Sequence, residues 1–294
     1  MMRYIIFLLI SFSTFGQELT VQGYVLDERG NPLPYSNIGI KNNAGGSFSD
    51  DRGYFKVKAD TKDTLLISSI GYETRTILAN IFKDRITLKT SVTILSEVQV
   101  KSKRLKAVLV ELGYRKSKFT GVMLSNTQYS QRIQNETGKE GYIKDVYYKA
   151  HLSSSAGYNN GKVRIRVYQV DPLTGLPGED LLHENVILNI EKKQKLVKTD
   201  ISKYGIQIPR AGVYLGLDFL GFVDENGKLL EDSQKDIQHR YGLVIEYTNR
   251  IKKDLTFHKH LGTEWVSISQ LPNSKIRLTY WINALSGLTV IFED

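Results

Sequence analysis

Along most of the chain, apolar and polar positions alternate with a period of two. Val21, Gly23 and Val25 alternate with Gln22 and Tyr24; Ile38 and Ile40 follow, then Tyr54-Phe55-Lys56-Val57, Leu65-Leu66-Ile67, Ile86-Thr87-Leu88 and Val98-Gln99-Val100. Successive side chains of a strand point to opposite faces, so this pattern predicts half-buried strands. Turn chemistry separates them. Asp27-Glu28-Arg29-Gly30-Asn31-Pro32 and Asp50-Asp51-Arg52-Gly53 place glycine where a tight turn needs positive φ, and Gly45-Gly46 breaks the run between them. Gly71, in Ser69-Ile70-Gly71-Tyr72, permits a bend at the end of a buried strand. Many short strands at this spacing predict a β-sandwich over residues 19–101.

The alternation returns over residues 119–294. Val163, Ile165 and Val167 alternate with Arg164, Arg166 and Tyr168; Val213, Leu215, Leu217 and Phe219 with Tyr214, Gly216 and Asp218. Leu243, Ile245 and Tyr247 alternate with Val244, Glu246 and Thr248; Ile276, Leu278, Tyr280 and Ile282 with Arg277, Thr279, Trp281 and Asn283. One wet and one dry face per strand predicts packed antiparallel sheets. The expectation is a second sandwich of roughly eight strands, jelly-roll-like, giving an all-β chain of two sandwiches. Between them, residues 102–118 differ. Leu105, Val108, Leu109 and Leu112 have helical spacing among Lys103, Arg104, Lys106, Arg115, Lys116 and Lys118, which predicts a short basic helix or linker with solvated charges.

The first sixteen residues read as a cleaved secretory signal. Arg3 precedes an apolar stretch from Tyr4 to Phe15, and Thr14 and Gly16 are the small residues a signal peptidase requires. That stretch is too short for a bilayer span, and no later run reaches the length, so no transmembrane segment is expected after cleavage. The chain has no cysteine, which excludes a lipidated cysteine, disulfides and thiol chemistry. Export without disulfides fits a Gram-negative periplasm, outer-membrane association or the cell surface. The net charge of +9 is spread among acidic residues, so no nucleic-acid footprint emerges; a mild pull toward anionic glycans remains.

Several segments of the first half carry a resemblance. Gly23-Tyr-Val-Leu-Asp27, Gly30-Asn-Pro-Leu-Pro34, Asn37-Ile-Gly-Ile40, Gly46-Ser-Phe-Ser-Asp50, Gly53-Tyr-Phe55, Leu65-Leu-Ile-Ser-Ser-Ile-Gly-Tyr72 and Leu95-Ser-Glu-Val-Gln-Val100 resemble, in order, the carboxypeptidase-regulatory-like family. The resemblance implies a transthyretin-like β-sandwich. Such modules stand beside carboxypeptidases and at the N-termini of exported outer-membrane receptors, and they carry no catalytic residues of their own. The second half offers no diagnostic motif.

Catalytic and cofactor motifs are missing. There is no G-x-S-x-G, no H-E-x-x-H, no P-loop and no dinucleotide fingerprint, so no catalytic residue, metal or cofactor is assigned. His258 and His260 share a face if they lie on a strand, but no third ligand accompanies them, and their segment reads as an exposed hairpin arm. Asp224-Glu225-Asn226-Gly227 lacks calcium-loop spacing and reads as a turn. Trp265 is expected in the core. The wet faces are more suggestive: Tyr168 falls with Arg164 and Arg166, Tyr214 with Asp218, and Trp281 with Arg277 and Asn283. Aromatics on polar faces suit sugar stacking, with neighbouring Arg, Asp and Asn binding hydroxyls. The plainer alternative is that loops or the neighbouring domain cover them.

Three function classes follow. The first is an exported, non-catalytic interaction or adaptor protein whose partner is an envelope or outer-membrane protein. The second is a carbohydrate-binding accessory protein using the wet-face aromatics. The third is a hydrolase built on carboxylates such as Asp218, Asp232 and Glu246.

Overall fold

The computed structural model describes residues 18–91, 108–113, 119–123, 126–154, 157–230, 242–270 and 282–292. The signal segment 1–16, the strand expected at 98–100 and most of the segment 102–118 lie outside these residues.

The described chain is all-β apart from short 3₁₀ turns. Its first seven strands are β1 (Glu18–Leu26), β2 (Asn37–Ile40), β3 (Gly46–Phe48), β4 (Tyr54–Asp60), β5 (Thr64–Ser68), β6 (Arg75–Leu78) and β7 (Arg85–Thr87). They form two sheets, β4-β1-β7 and β3-β2-β5-β6. Val21, Val25, Ile38, Phe55, Val57, Leu65, Ile67, Ile86 and Leu88 share the core between them, the inward phase of the alternation. The β3–β4 turn shows how the sequence sets this up. Asp50 Oδ1 accepts the N–H groups of Arg52 (2.9 Å) and Tyr54 (2.8 Å), and Gly53 takes φ 74°. A Cβ on Gly53 would stand 2.7 Å from the Val25 carbonyl oxygen, so the turn excludes any side chain there.

The remaining strands are β8 (Val108–Gly113), β9 (Phe119–Met123), β10 (Thr127–Ile133), β11 (Gly141–Tyr148), β12 (Ala150–Leu152), β13 (Asn160–Val170), β14 (Pro177–Asp180) and β15 (Val186–Glu191). Then come β16 (Val197–Asp200), β17 (Gln207–Ile208), β18 (Val213–Phe222), β19 (Leu243–Thr248), β20 (Thr256–His260), β21 (Val266–Ser267), β22 (Asn283–Ala284) and β23 (Ser286–Phe292). One layer is the seven-stranded sheet β14-β13-β18-β10-β20-β21, with β15 also on β13. Facing it are the sheets β16-β11-β23-β8 and β12-β19-β22, with β17 on β11 and β9 on β19. Val163, Ile165, Val167, Leu215, Leu217, Phe219, Ile143, Val146, Ile245, Leu288 and Val290 fill the core between the layers.

This second unit has more strands than the eight or so expected, because long strands are interrupted and change partner. At Lys149, Glu246 and Leu285, for example, three backbones exchange hydrogen bonds in a ring (2.8–3.0 Å) and separate β11 from β12 and β22 from β23. The basic-helix expectation is also corrected: Val108–Gly113 is β8, paired with β23 from Val108↔Phe292 to Gly113↔Gly287. Val108-Leu-Val-Glu-Leu fits both periods over so short a stretch, and the open edge of β23 selects the strand.

The two sandwiches meet at a joint made of glycines. The turn after β20 presses Leu261-Gly262 into a notch formed by Gly39 and Gly46. A Cβ on Gly39 would lie 2.4 Å from the Leu261 carbonyl, and one on Gly262 would lie 1.8 Å from the Ile40 carbonyl oxygen. Asn42 N–H donates to Gly262 O (2.9 Å), and Asn126 Nδ2 to Ala44 O (2.6 Å). Gly262→Ala is therefore expected to push the sandwiches apart and cost about 1–3 kcal/mol. Thermal denaturation together with proteolysis between the units reads this; an unchanged melting temperature and cleavage rate would remove the joint from the account.

Candidate functional site

The register of the seven-stranded sheet brings distant residues into rows. On the face turned away from its core, Arg164 of β13 stands opposite Asp218 of β18, which stands opposite Gln128 of β10, which stands opposite Lys259 of β20. The next row is Arg166, Gly216, Ser130 and Phe257; the third is Tyr168, Tyr214 and Arg132. Arg164, Arg166, Tyr168, Tyr214 and Asp218 thus share one face. Asn283 does not join them. It lies on β22, accepts Leu255 N–H (2.9 Å), and donates to the carbonyls of Ile251 (3.3 Å) and Lys253 (2.9 Å), bracing that loop. Arg277 and Trp281 lie outside the described residues.

Of the two readings, an open sugar platform or rings covered by loops and the neighbouring domain, these five residues form the second: the face is covered. Arg164 is 1% and Asp218 0% exposed, and Arg166, Tyr168 and Tyr214 are also buried. The cover comes from the first sandwich and from two loops. Arg164 Nε and Nη2 donate to Asp218 Oδ2 (2.7 and 2.6 Å), Nη2 also to Asn37 Oδ1 (2.6 Å), and Nη1 to Tyr35 O (2.5 Å) and Asn185 Oδ1 (3.2 Å). Every guanidinium N–H is engaged. Gln128 Nε2 donates to both oxygens of Asp218 at 3.0 Å, so the carboxylate is equally well satisfied. The Arg164 guanidinium lies 5.2 Å from the Phe48 ring centre, and Asn185 Nδ2 donates to Pro34 O (3.2 Å). Burial pulls the Arg164 pKa down and the Asp218 charge opposes that pull.

The rest of the face is closed by loops. Tyr214 OH donates to Gly175 O (2.7 Å), tying down the turn after β13. Arg166 pairs with Asp180 of β14 and lies over the Tyr168 ring. Trp265 is not in the core. Half-buried, it meets the Tyr168 ring edge-on at 5.7 Å, with Lys259 Nζ 4.7 Å from its ring centre. Gly216 leaves the room for this: a Cβ there would be 2.6 Å from atoms of both Arg166 and Tyr168. Sequence reasoning missed Gln128, Asn185, Tyr35 and Asn37. Gln128 was within reach, since it occupies the polar phase of Thr127-Gln-Tyr-Ser-Gln.

The histidine pair is placed differently from the expected exposed arm. β20 is an internal strand between β10 and β21, and His258 and His260 point to the core side with Tyr129. Their rings are 5.9 Å apart. Among the described residues, no group of three His, Cys, Asp or Glu has metal-binding geometry, and buried His258 Nε2 has no hydrogen-bond partner. Burial, then the neighbouring His260, pushes the His258 pKa down to about 4. The segment at Asp224 is a plain turn: Asp224 Oδ1 accepts Asn226 and Lys228 N–H, and Gly227 takes φ 78°. The carboxylates Asp218 and Glu246 lie in different sheets and Asp218 is spent on Arg164; Asp232 is outside the described residues. A shallow cleft of about 410 Å³ opens at the sheet edges of the first sandwich, lined by Glu28, Glu73, Thr74, Arg75, Thr87 and Lys89.

Two predictions follow from this geometry. Arg164→Met strands a buried carboxylate and is expected to destabilise by about 3–5 kcal/mol, whereas the double change Arg164→Met/Asp218→Leu recovers a large part. Urea unfolding of the three proteins checks this; equal losses would show that the charges are not coupled. For His258, the unfolded chain binds a proton near pH 6.5 and the folded chain only near pH 4. Its contribution is therefore full above pH 6.5 and falls as the pH drops toward 4, by about 3 kcal/mol. His258→Gln should flatten stability against pH in that window relative to the parent; identical slopes would refute it.

Comparison with known proteins bears on the first sandwich. A curated relative, the TonB-dependent receptor SusC of Bacteroides thetaiotaomicron, is 33% identical over 91 residues, which cover 31% of this chain and 9% of the receptor. The chain therefore corresponds to a small fraction of that receptor's length. Residues 21–100 match the family model of the CarboxypepD_reg-like domain. The sandwich built from β1 to β7 is a carboxypeptidase-regulatory-like domain.

Proposed function

We propose that this chain is an exported, non-catalytic interaction protein of the cell envelope, periplasmic, outer-membrane-associated or at the surface. Its two units are residues 19–101 and a C-terminal sandwich that opens with β8. The regulatory-like domain is held in one orientation on the C-terminal sandwich, and the pair acts as a single rigid adaptor. The carrying observation is the Arg164 clamp: one buried guanidinium binds Asp218 of its own sandwich and Tyr35 and Asn37 of the other. Arg164 and Asp218, the central charges of that face, are engaged in this joint, and Arg166 is paired with Asp180. The relation of the first domain to part of a TonB-dependent receptor supports an outer-membrane protein as the partner class.

The test is crosslinking of a tagged chain in intact cells, followed by recovery from envelope fractions. The expected result is a co-purified TonB-dependent receptor or other outer-membrane protein, reduced several-fold by Gly262→Ala, which loosens the joint without touching the outer surface. Recovery of the tagged chain with no outer-membrane protein would overturn the reading.

A further inference from the structure

Strand β20 has one face in the joint and the other in the core. Its outer phase carries Lys259, in the row that leads through Gln128 and Asp218 to Arg164. Its inner phase carries His258 and His260, opposite Tyr129 and Thr127 of β10. The chain runs directly from His260 into Leu261-Gly262, the turn seated in the Gly39–Gly46 notch. That turn closes on His260, whose N–H donates to Thr263 Oγ1 (3.0 Å) and whose carbonyl accepts Thr263 N–H (3.1 Å). The His260 backbone therefore sets where the turn sits. The two imidazole rings are 5.9 Å apart at an interplanar angle of 87°. His258 Nε2 and His260 Nδ1 are buried, and neither has a hydrogen-bond partner among the described residues.

We propose that this pair is an acid-sensitive latch on the joint: when the rings take up protons, the His260–Thr263 turn leaves the glycine notch and the regulatory-like domain undocks from the second sandwich. A buried imidazole nitrogen without a partner is tolerable while the ring is neutral; a charged ring needs water or an acceptor at each N–H. Two such charges 5.9 Å apart also repel each other. The surroundings give no relief. Tyr129 of β10 is the titratable side chain beside His258, with ring centres 6.0 Å apart, and it hydrogen-bonds with Tyr247 of β19. On the other side Val266 of β21 stands opposite His258, and the short turn Ile268–Gln270 commits its Ser269 hydroxyl to Asp254 Oδ1 (2.6 Å). Lys259 is on the opposite face of the strand. Burial lowers the pKa of His260, and burial and then His260 lower that of His258; no carboxylate among the described residues offsets either effect. His258 lies deep, whereas His260 is half-buried at the strand end. The shortest route to water therefore swings that end outward and withdraws Leu261-Gly262. The sign is fixed by linkage: the closed joint holds neutral rings, so it is favoured above pH 6.5 and loses ground as the pH falls toward 4. The inference rests on the rigid joint proposed for the adaptor and not on which partner the adaptor meets.

Amide hydrogen exchange of the full chain between pH 7.5 and 5 reads the latch, with each rate corrected for the intrinsic pH dependence of exchange. The Asn42 N–H crosses the joint to Gly262 O; the Val25 N–H, bonded to Gly53 O (2.9 Å), and the Ile143 N–H, bonded to Ile206 O (2.9 Å), report on the two separate cores. Protection of Asn42 is expected to fall about tenfold over this range while Val25 and Ile143 keep theirs. His260→Gln, and independently the apolar His260→Phe, should leave Asn42 protection constant with pH. Three results would each overturn the latch: Asn42 protection that ignores pH in the parent, a parallel loss at Val25 or Ile143, which would mean that a whole sandwich yields, or the same acid loss in both His260 variants. None of them alters recovery of an outer-membrane protein at neutral pH, so the two proposals fail separately.

Discussion

A guanidinium taken fully out of water is tolerable only if every donor finds an acceptor, and the architecture is arranged around meeting that condition for Arg164. Asp218 and Asn185 come from its own sandwich, Tyr35 and Asn37 from the other. The desolvation of such a pair offsets much of its Coulombic gain. Its value lies in directionality. The planar fork accepts partners only in one plane, so it fixes where the regulatory-like domain sits. Tyr35 is held at φ 56°, an uncommon conformation for a bulky residue, and its carbonyl is the one that Arg164 grips. The strained turn is sustained by the contact that it serves.

The glycine joint complements this clamp. Directional bonds set orientation, while close backbone approach at Gly39 and Gly262 sets separation. A joint made from both leaves little freedom for the slow domain rocking expected of small, polar interdomain contacts. One sheet of the regulatory-like domain is thereby committed to the neighbour, so the joint also decides which residues of the domain face the second sandwich.

Alternation made the fold class and the face membership of Arg164, Arg166, Tyr168, Tyr214 and Asp218 legible. It did not reveal their environment, because the polar phase of a strand has two meanings. It faces water, or it faces another polar layer. Asn37 is 127 residues from Arg164 along the chain, and nothing local to either announces the other. The same ambiguity worked in reverse on β1. Tyr24 sits in the polar phase as Tyr168 does, yet it is exposed while Tyr168 is covered. Over Val108–Gly113 the limit was length: five or six residues fit a helical and a strand period equally, and pairing with β23 decides.

A polar joint rather than an apolar one also bears on how the seven-stranded sheet finds its register. Shifting β18 by one residue against β13 would turn Asp218 toward the core and leave Arg164 facing Leu217 or Phe219. An apolar interface would register that slip as a modest repacking, whereas a buried ion pair registers it as two unpaired charges. The same row extends through Gln128 to Lys259, so β10 and β20 are held by the same requirement. Docking of the first domain then adds acceptors that only the correctly paired sheet presents donors for. Register within the sheet and orientation between the domains are, on this view, one decision, made where a single arginine has its last hydrogen bonds to place.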